Sequence, residues 1–485
     1  MRLSLALVLS TVLPACLADV EGFRQGDDDE PEPVASEPTG VVREPAHGSV
    51  LAGDPSAIAI HVSGLYDAPD KPLDVQVLAD PDDLDSWTTI GTATTASTVL
   101  GGKYAFAADV RPVATAADAA RWPRGGVLRL RVVDDKAHAL PFDPSTPEDT
   151  VIAVTNPANV PATWTYLMEK PPGSIAETQE YYAAIDAPLT LDAFMTRYGF
   201  PGGETSATYY NAGDLGIGRE MHCRATETPA GGLACYVRNF GTFGGNRDEA
   251  LELLIAGGVP LATVAMVYTP PITAPNAVTF MVYGPTGELV NEAQLDTLGN
   301  NTSIPQNCIN CHGGRSRYDA ANNAVIGARF LPFDPAAFDY SARSDLTLLA
   351  QEQQLRRLNA LVDQAAPTAG VREVIAGLFP ASGPYDPSFV PEGWRATRSD
   401  ARVYREVVAP YCRGCHATFE DDLVFSTAAS VRNRAGSLNT LLCGTGPLGM
   451  PAAEQTTRAF FSSPARAVML QWLGQPGACA PATGQ

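Results

Sequence analysis

Apolar residues recur at every second position through much of the first third of the chain. Ile58, Ile60 and Val62 alternate with Ala59 and His61, Leu73, Val75 and Val77 with Asp74 and Gln76, and Leu128, Leu130 and Val132 with Arg129 and Arg131. A period of two puts one side of an extended segment into a core, and turns such as Ala68-Pro69-Asp70 bound the runs. Residues 46–155 are therefore expected to form an all-β sandwich of about seven strands. The pattern then changes. Leu261–Tyr268 and Ala277–Tyr283 are strand candidates joined by a Pro-rich turn, whereas Leu348, Leu355, Leu358 and Val362 share one helical face and Val371 to Leu378 form a shorter helix. Pro384, Pro387 and Pro391 punctuate a linker, so residues 160–394 read as a central α+β domain and residues 395–485 as a small all-α domain.

The start of the chain is patterned as a targeting signal. Arg2 precedes an apolar run from Leu3 to Val12, too short to span a bilayer, which ends at Leu13-Pro14-Ala15-Cys16. That ending resembles the lipobox of bacterial lipoproteins, which implies a signal peptide over residues 1–16 and a lipidated Cys16. The alternative is a plain signal peptide cleaved after Ala15 or Ala18. Leu17, not aspartate, follows Cys16, so the inner-membrane retention signal known from some bacteria is absent. Residues 17–45, acidic and proline-bearing from Asp27 to Glu32, show no hydrophobic period and read as a disordered tether. No other stretch reaches ~18 consecutive apolar residues. The β-patterned region resembles, in pattern alone, the immunoglobulin-like accessory domains of bacterial surface proteins, which implies spacing or partner binding.

At 485 residues the chain accommodates about three domains. A net charge of −21 and a pI near 4.6 argue against nucleic acid and against a basic membrane-surface patch. Such acidity suits an exported, soluble body and could steer it towards a basic partner.

The chemistry-bearing signal is a repeated motif. Cys308-Ile309-Asn310-Cys311-His312 and Cys412-Arg413-Gly414-Cys415-His416 both match the pattern of c-type haem attachment. Two thiols add across the two vinyl groups of one haem, and the following histidine presents its imidazole to the iron. A thioredoxin-like dithiol would need a CxxC beside a βαβ pattern, which is missing. A structural zinc site would have to join two pairs about a hundred residues apart, each with an unexplained histidine. With nine Cys and six His in the chain, two complete matches by chance are rare. Cys308, Cys311, Cys412 and Cys415 are thus expected to hold two covalent haem c groups, with His312 and His416 as proximal iron ligands.

Residues 395–485 resemble a class I cytochrome c domain. Val403, Tyr404, Val407, Val408 and Tyr411 form the apolar face of a helix leading into Cys412. Ser463, Pro464, Ala465, Val468, Met469, Trp472 and Leu473 give the terminal helix. The resemblance implies Met450, in Met450-Pro451, as the distal ligand, with Met469 as the rival. The segment from Gly216 to about Trp394 resembles a group of large, poorly characterised bacterial cytochrome-type proteins. Gly218-Arg219-Glu220-Met221-His222-Cys223, Ala234-Cys235-Tyr236-Val237 and Phe330-Leu331-Pro332-Phe333-Asp334 carry that likeness, which implies haem and electron transfer with no defined substrate. The distal ligand of the first haem is open among His222, Met221, Met266 and Met281. His222, the one unassigned histidine of this region, is preferred, and Met221 follows.

Four cysteines remain, and an exported chain is oxidising territory. Cys223 and Cys235 are expected to pair across a hairpin turning at Pro229 to Gly232, and Cys443 with Cys479, tying the methionine loop to the C-terminus. Sequence does not determine this connectivity.

These features imply a di-haem cytochrome transferring electrons in the cell envelope, lipid-anchored and facing the periplasm or the outer surface, with redox proteins as partners. A haem enzyme, peroxidase- or oxidase-like, is the alternative and requires an open iron position at His312. No second set of acid/base residues supports it. A third reading is a surface binding protein that grips a partner through the β-sandwich, with Trp87 and Trp122 as exposed aromatic candidates.

Overall fold

The computed structural model describes residues 40–54, 57–113, 115, 127–142, 149–155, 173–295, 297, 301–420, 423–442 and 454–474. Cys16, the tether up to residue 39, Trp122, Cys443, Met450 and Cys479 lie outside the described residues. The chain is multidomain, with sheets in its N-terminal and central parts and helices in its C-terminal region.

The alternating runs are strands, and their apolar positions face inward. Nine strands are described, eight of them within the range expected to hold about seven: β1 (Gly40–Glu44), β2 (Val50–Ala52), β3 (Ile60–Tyr66), β4 (Pro72–Asp80), β5 (Asp83–Thr94), β6 (Val99–Leu100), β7 (Lys103–Val110), β8 (Val127–Val133) and β9 (Thr150–Thr155). They form one sheet in the order β1-β3-β7-β6 and a second in the order β2-β9-β8-β4-β5. Val62 and Phe106 from the first sheet share one buried core with Leu73, Val75, Leu130 and Ile152 from the second. β1 falls within residues assigned to the tether, and that boundary is corrected. Val42 is buried, and five residues are too few to display a period in sequence.

The central part is built on a five-stranded antiparallel meander, β10 (Thr205–Tyr210), β11 (Gly218–Thr226), β12 (Gly232–Phe240), β13 (Ala262–Tyr268) and β14 (Val278–Tyr283), neighbours in sequence being neighbours in the sheet. The helix Leu348–Gln364 starts where Thr347 accepts the Ala350 amide, a side-chain cap worth about 1 kcal/mol. It fully buries Leu355, Leu358 and Val362, each contributing roughly 1.5–3 kcal/mol. Helix Ala369–Leu378 follows, capped by Thr368.

The C-terminal region is a set of short helices. Thr397 caps Arg398–Val403, which continues through a wide π turn at Tyr404–Val408 into Ala409–Tyr411 and Arg413–His416. Ala428–Arg432, Ala435–Leu442, Glu454–Ser462 and Ala465–Trp472 complete the described part. Trp394, at the end of the expected central domain, belongs to this core instead. It is fully buried among Tyr404, Val407, Val431 and Met469, and its indole N–H donates to the Phe425 carbonyl at 2.8 Å.

Candidate functional site

Each motif sits on one tight helical turn. In the first, the His312 amide donates to the Cys308 carbonyl at 3.1 Å, and the Cys308 and Cys311 thiols are not joined to each other. One backbone bond and one imidazole contact tie His312 to residue 329. The Arg329 amide donates to the His312 carbonyl at 3.0 Å, and His312 Nδ1 lies 3.4 Å from the Arg329 carbonyl. A proton held on Nδ1 by a carbonyl selects the tautomer whose Nε2 carries the lone pair, the form that ligates iron. Burial pushes the Cys308 thiol up to about 12 and raises that of Cys311 as well.

The second motif repeats this arrangement with tighter contacts. The His416 amide donates to Cys412 at 3.0 Å, and His416 Nδ1 lies 2.6 Å from the Leu423 carbonyl. The Phe425 ring stacks on the imidazole at 3.8 Å between centroids. Burial pushes the Cys412 thiol up to about 12, while Cys415 is exposed. Arg413, inside the motif, is buried at 4% exposure and pairs with Asp334, buried at 6%. Its Nε donates to Asp334 Oδ2 at 2.8 Å. Asp334 closes the Phe330–Asp334 stretch, so a residue that the sequence reading tied only to a resemblance holds the second motif in place. A charge inside the motif was the one signal that could have pointed to it.

The two motifs, about a hundred residues apart in sequence, are neighbours. The Gly314 amide donates to Thr418 Oγ1 at 2.9 Å, two residues past each histidine, and Thr418 Oγ1 donates to the Cys415 carbonyl at 2.7 Å. Thr368 donates to the Ala417 carbonyl at 2.5 Å, and Arg329 pairs with Glu420 at 3.2 Å. Cys415 is near enough for its charge to act on the Cys311 thiol. Among the described residues no three His, Cys, Asp or Glu converge with metal-ligating geometry, so the two thiol pairs adjoin without making one four-thiol set.

His222 does not join His312. In the sheet register Cys223, Cys235, Met266 and Phe280 lie opposite one another across β11 to β14 and share a face. The Phe280 ring meets His312 at 5.6 Å. His222 takes the other face, stacked on its cross-strand partner Tyr236 at 4.6 Å, which packs in turn on Phe194 and Phe200. Its Nδ1 lies 3.1 Å from Glu204, and its Nε2 lies 3.2 Å from Glu220 without the alignment of a hydrogen bond. His222 thus lies on the opposite face of the sheet from Phe280, because strand alternation turns adjacent residues to opposite faces. Met221 and Met266 are on the His312 side, and Met281 is not. Met469 is buried in the C-terminal core. Cys223 and Cys235 are disulfide-bonded across the β11–β12 hairpin, as the sequence suggests.

The helix that follows the Met450 segment is anchored on the central part. Glu454 accepts from the Thr297 amide at 2.7 Å, and Thr456 donates to the Gly213 carbonyl at 2.6 Å. Next to Gly213, Asp214 lies 3.5 Å from Arg219, and both act on the Cys311 thiol. Burial raises the Asp214 pKa against the opposing pull of Arg219 and Asn211. Two donors of this region, Arg219 Nε and Tyr340 Oη, are buried with no hydrogen-bond partner. Orphaned buried donors are costly, and the carboxylates of a haem are the acceptors such donors suit. The residues present therefore fit a haem, in proximal tautomer, paired unbonded thiols and unmet donors.

No protein-family model matches the chain, and no curated protein matches it.

Proposed function

We propose that the chain is a di-haem c-type cytochrome of the bacterial cell envelope and that its work is electron transfer. The observation that carries the reading is the side-by-side placement of two CxxCH turns, each with its histidine Nδ1 against a backbone carbonyl. Haem c, when bound, supplies a one-electron iron couple whose potential follows its axial ligands and burial. Cys308 and Cys311 hold one haem and Cys412 and Cys415 the other, with His312 and His416 as proximal ligands. Met450 serves the second site, where a thioether favours the reduced state. The Gly314–Thr418 and Arg413–Asp334 contacts keep the two sites adjacent, which suits a relay. The C-terminal helices read as a class I cytochrome c domain and the two-sheet N-terminal part as immunoglobulin-like. Cys16 is the proposed lipid anchor, facing the periplasm or the outer surface, and among the described residues no helix is long and apolar enough to cross a membrane. The partners are redox proteins.

A second reading, a haem enzyme open at His312, is favoured by one observation: the sheet separates His222 from that site. Absorption spectra of the protein made in a host that attaches haem c decide between them. Two covalent haems that both ignore carbon monoxide support the relay. One ferrous haem that binds it readily moves the enzyme reading forward. A chain that carries no covalent haem refutes both.

A further inference from the structure

The sequence pattern places Arg129 and Val151 on the outer side of the N-terminal sheets. Leu128, Leu130 and Ile152 point into the sandwich core, and Arg129 lies opposite Val151 in the β8–β9 pairing. An outward-facing arginine ought to be solvated, yet Arg129 is only 8% exposed. The C-terminal helices cover it. Val127 and Val151 share a buried cluster with Trp394, Tyr404, Val407 and Val408. Around this apolar patch, Arg129 pairs with Glu406 and lies 3.7 Å from Asp149. Arg402 in turn lies 2.5 Å from Asp149 and 3.6 Å from Glu406. Two cations and two anions thus alternate in a network that carries no net charge, most of it withdrawn from water. Arg398 and Asp85 add an exposed pair at 3.0 Å.

The residues gripped are those that lead into the second motif. Arg402 stands in the last turn of the helix Arg398–Val403, and Glu406 lies in the π turn Tyr404–Val408, a widened turn of a kind often found at functional sites. The same turn turns Tyr404 towards Arg413, whose guanidinium stands 5.8 Å from the tyrosine ring. Cys412 follows, its amide donating to the Val408 carbonyl at 2.9 Å.

We infer that the N-terminal two-sheet unit is a positioning element for the second haem motif, acting through Arg129 and Asp149 on Arg402 and Glu406. This rests on the haem reading above, and it replaces a spacer or partner-gripping role for this face of the sheet. A spacer needs no buried charge network with the domain it carries. Removing one charge leaves the other three unbalanced in a place mostly withdrawn from water, which loosens the turn entering Cys412 and lets the second haem shift against its ligands.

The test uses the full-length holoprotein with Arg129→Gln and, from the other side, Glu406→Gln, beside Arg398→Gln, which removes only the exposed pair. Haem is counted per chain after denaturation, both midpoint potentials are titrated, and hydrogen exchange is followed over residues 404–416. Both network variants are expected to retain two haems, to shift the potential of the second haem alone, and to exchange these amides about tenfold faster or more. Glu406→Asp, keeping the charge, should restore much of both, and Arg398→Gln should match the wild type. Wild-type potentials and protection in both network variants, with two haems bound, would overturn the inference. A wild-type chain with no covalent haem overturns the functional reading and this inference with it, and the haem count tells the two failures apart.

Discussion

Substituting Asp334 by alanine tests whether the buried pair with Arg413 holds the second motif on the central part. Arg413 is 4% exposed and Asp334 6%, so the change leaves a guanidinium inside the protein facing no carboxylate. Its remaining partner is Tyr404, whose hydroxyl bonds the guanidinium and whose ring stands 5.8 Å away, and one neutral partner does not replace two charge-assisted hydrogen bonds. Loss of one member of a buried pair costs roughly 3–5 kcal/mol, whereas replacing the whole pair by apolar side chains of similar volume is often close to neutral. Asp334→Ala is therefore expected to lose about 3 kcal/mol or more, and the double variant with Arg413→Met to recover much of that loss. Equilibrium urea unfolding of the holoprotein by circular dichroism measures both, and hydrogen exchange over residues 398–416 assigns the loss to the right segment. A single-variant loss within about 1 kcal/mol of zero, or a double variant no better than the single one, would refute the argument that the pair is a buried lock.

Glu454 offers a pH test of how the helix after the methionine segment is held. Burial raises its pKa, but donation from Thr297 and Arg458 outweighs this, so the folded value lies below that of the unfolded chain. The stabilisation is present above the unfolded carboxylate pKa of about 4.3 and is lost as pH falls through the folded one, so limited proteolysis near residue 454 should increase below about pH 4.5. Glu454→Gln should lose that pH step, and a step that persists would mean another group supplies it. At Gly314 a Cβ would lie 2.5 Å from the Phe419 ring, so Gly314→Val should part the two motifs. Two haems should remain while electron exchange between them, followed after flash reduction, slows; an unchanged rate refutes the contact as the joint between the sites. Cys223→Ser opens a cross-link over 12 residues and should cost about 2–4 kcal/mol in unfolding without altering either haem potential, since the bond ties only β11 to β12. A shifted potential would show that the disulfide shapes the first site as well.

The C-terminal part was the most legible. The helix candidate ending before Cys412 and the one from Ala465 onward are both present, because apolar spacing of three and four residues is a local property. The Cys223–Cys235 pair was legible for a similar reason, since a short hairpin leaves its two strands little choice of partner. Trp87 shows the limit of such reading. A candidate for an exposed patch, with core packing as the commoner fate of a lone tryptophan, it is half-buried, with the Arg131 guanidinium over its ring at 4.3 Å and its indole N–H on the Leu84 carbonyl at 3.1 Å.

What the sequence by itself determined is the chemistry on offer and the inward side of each element. Two thiols and an imidazole at fixed spacing are set by a few consecutive backbone units, and a strand's inner face by its period of two. What only the tertiary structure decided is which of these local features meet. Residues 222 and 223 differ by one step, yet one faces Tyr236 and the other the disulfide side of the sheet where Phe280 meets His312. Arg129 is read as solvent-facing from its own strand and is buried by helices more than 270 residues away. Gly314 and Thr418, 104 residues apart, put the two motifs side by side. Such contacts depend on how whole elements stack, and no spacing along the chain encodes that. The sequence names the ligands, and packing brings the two sites together.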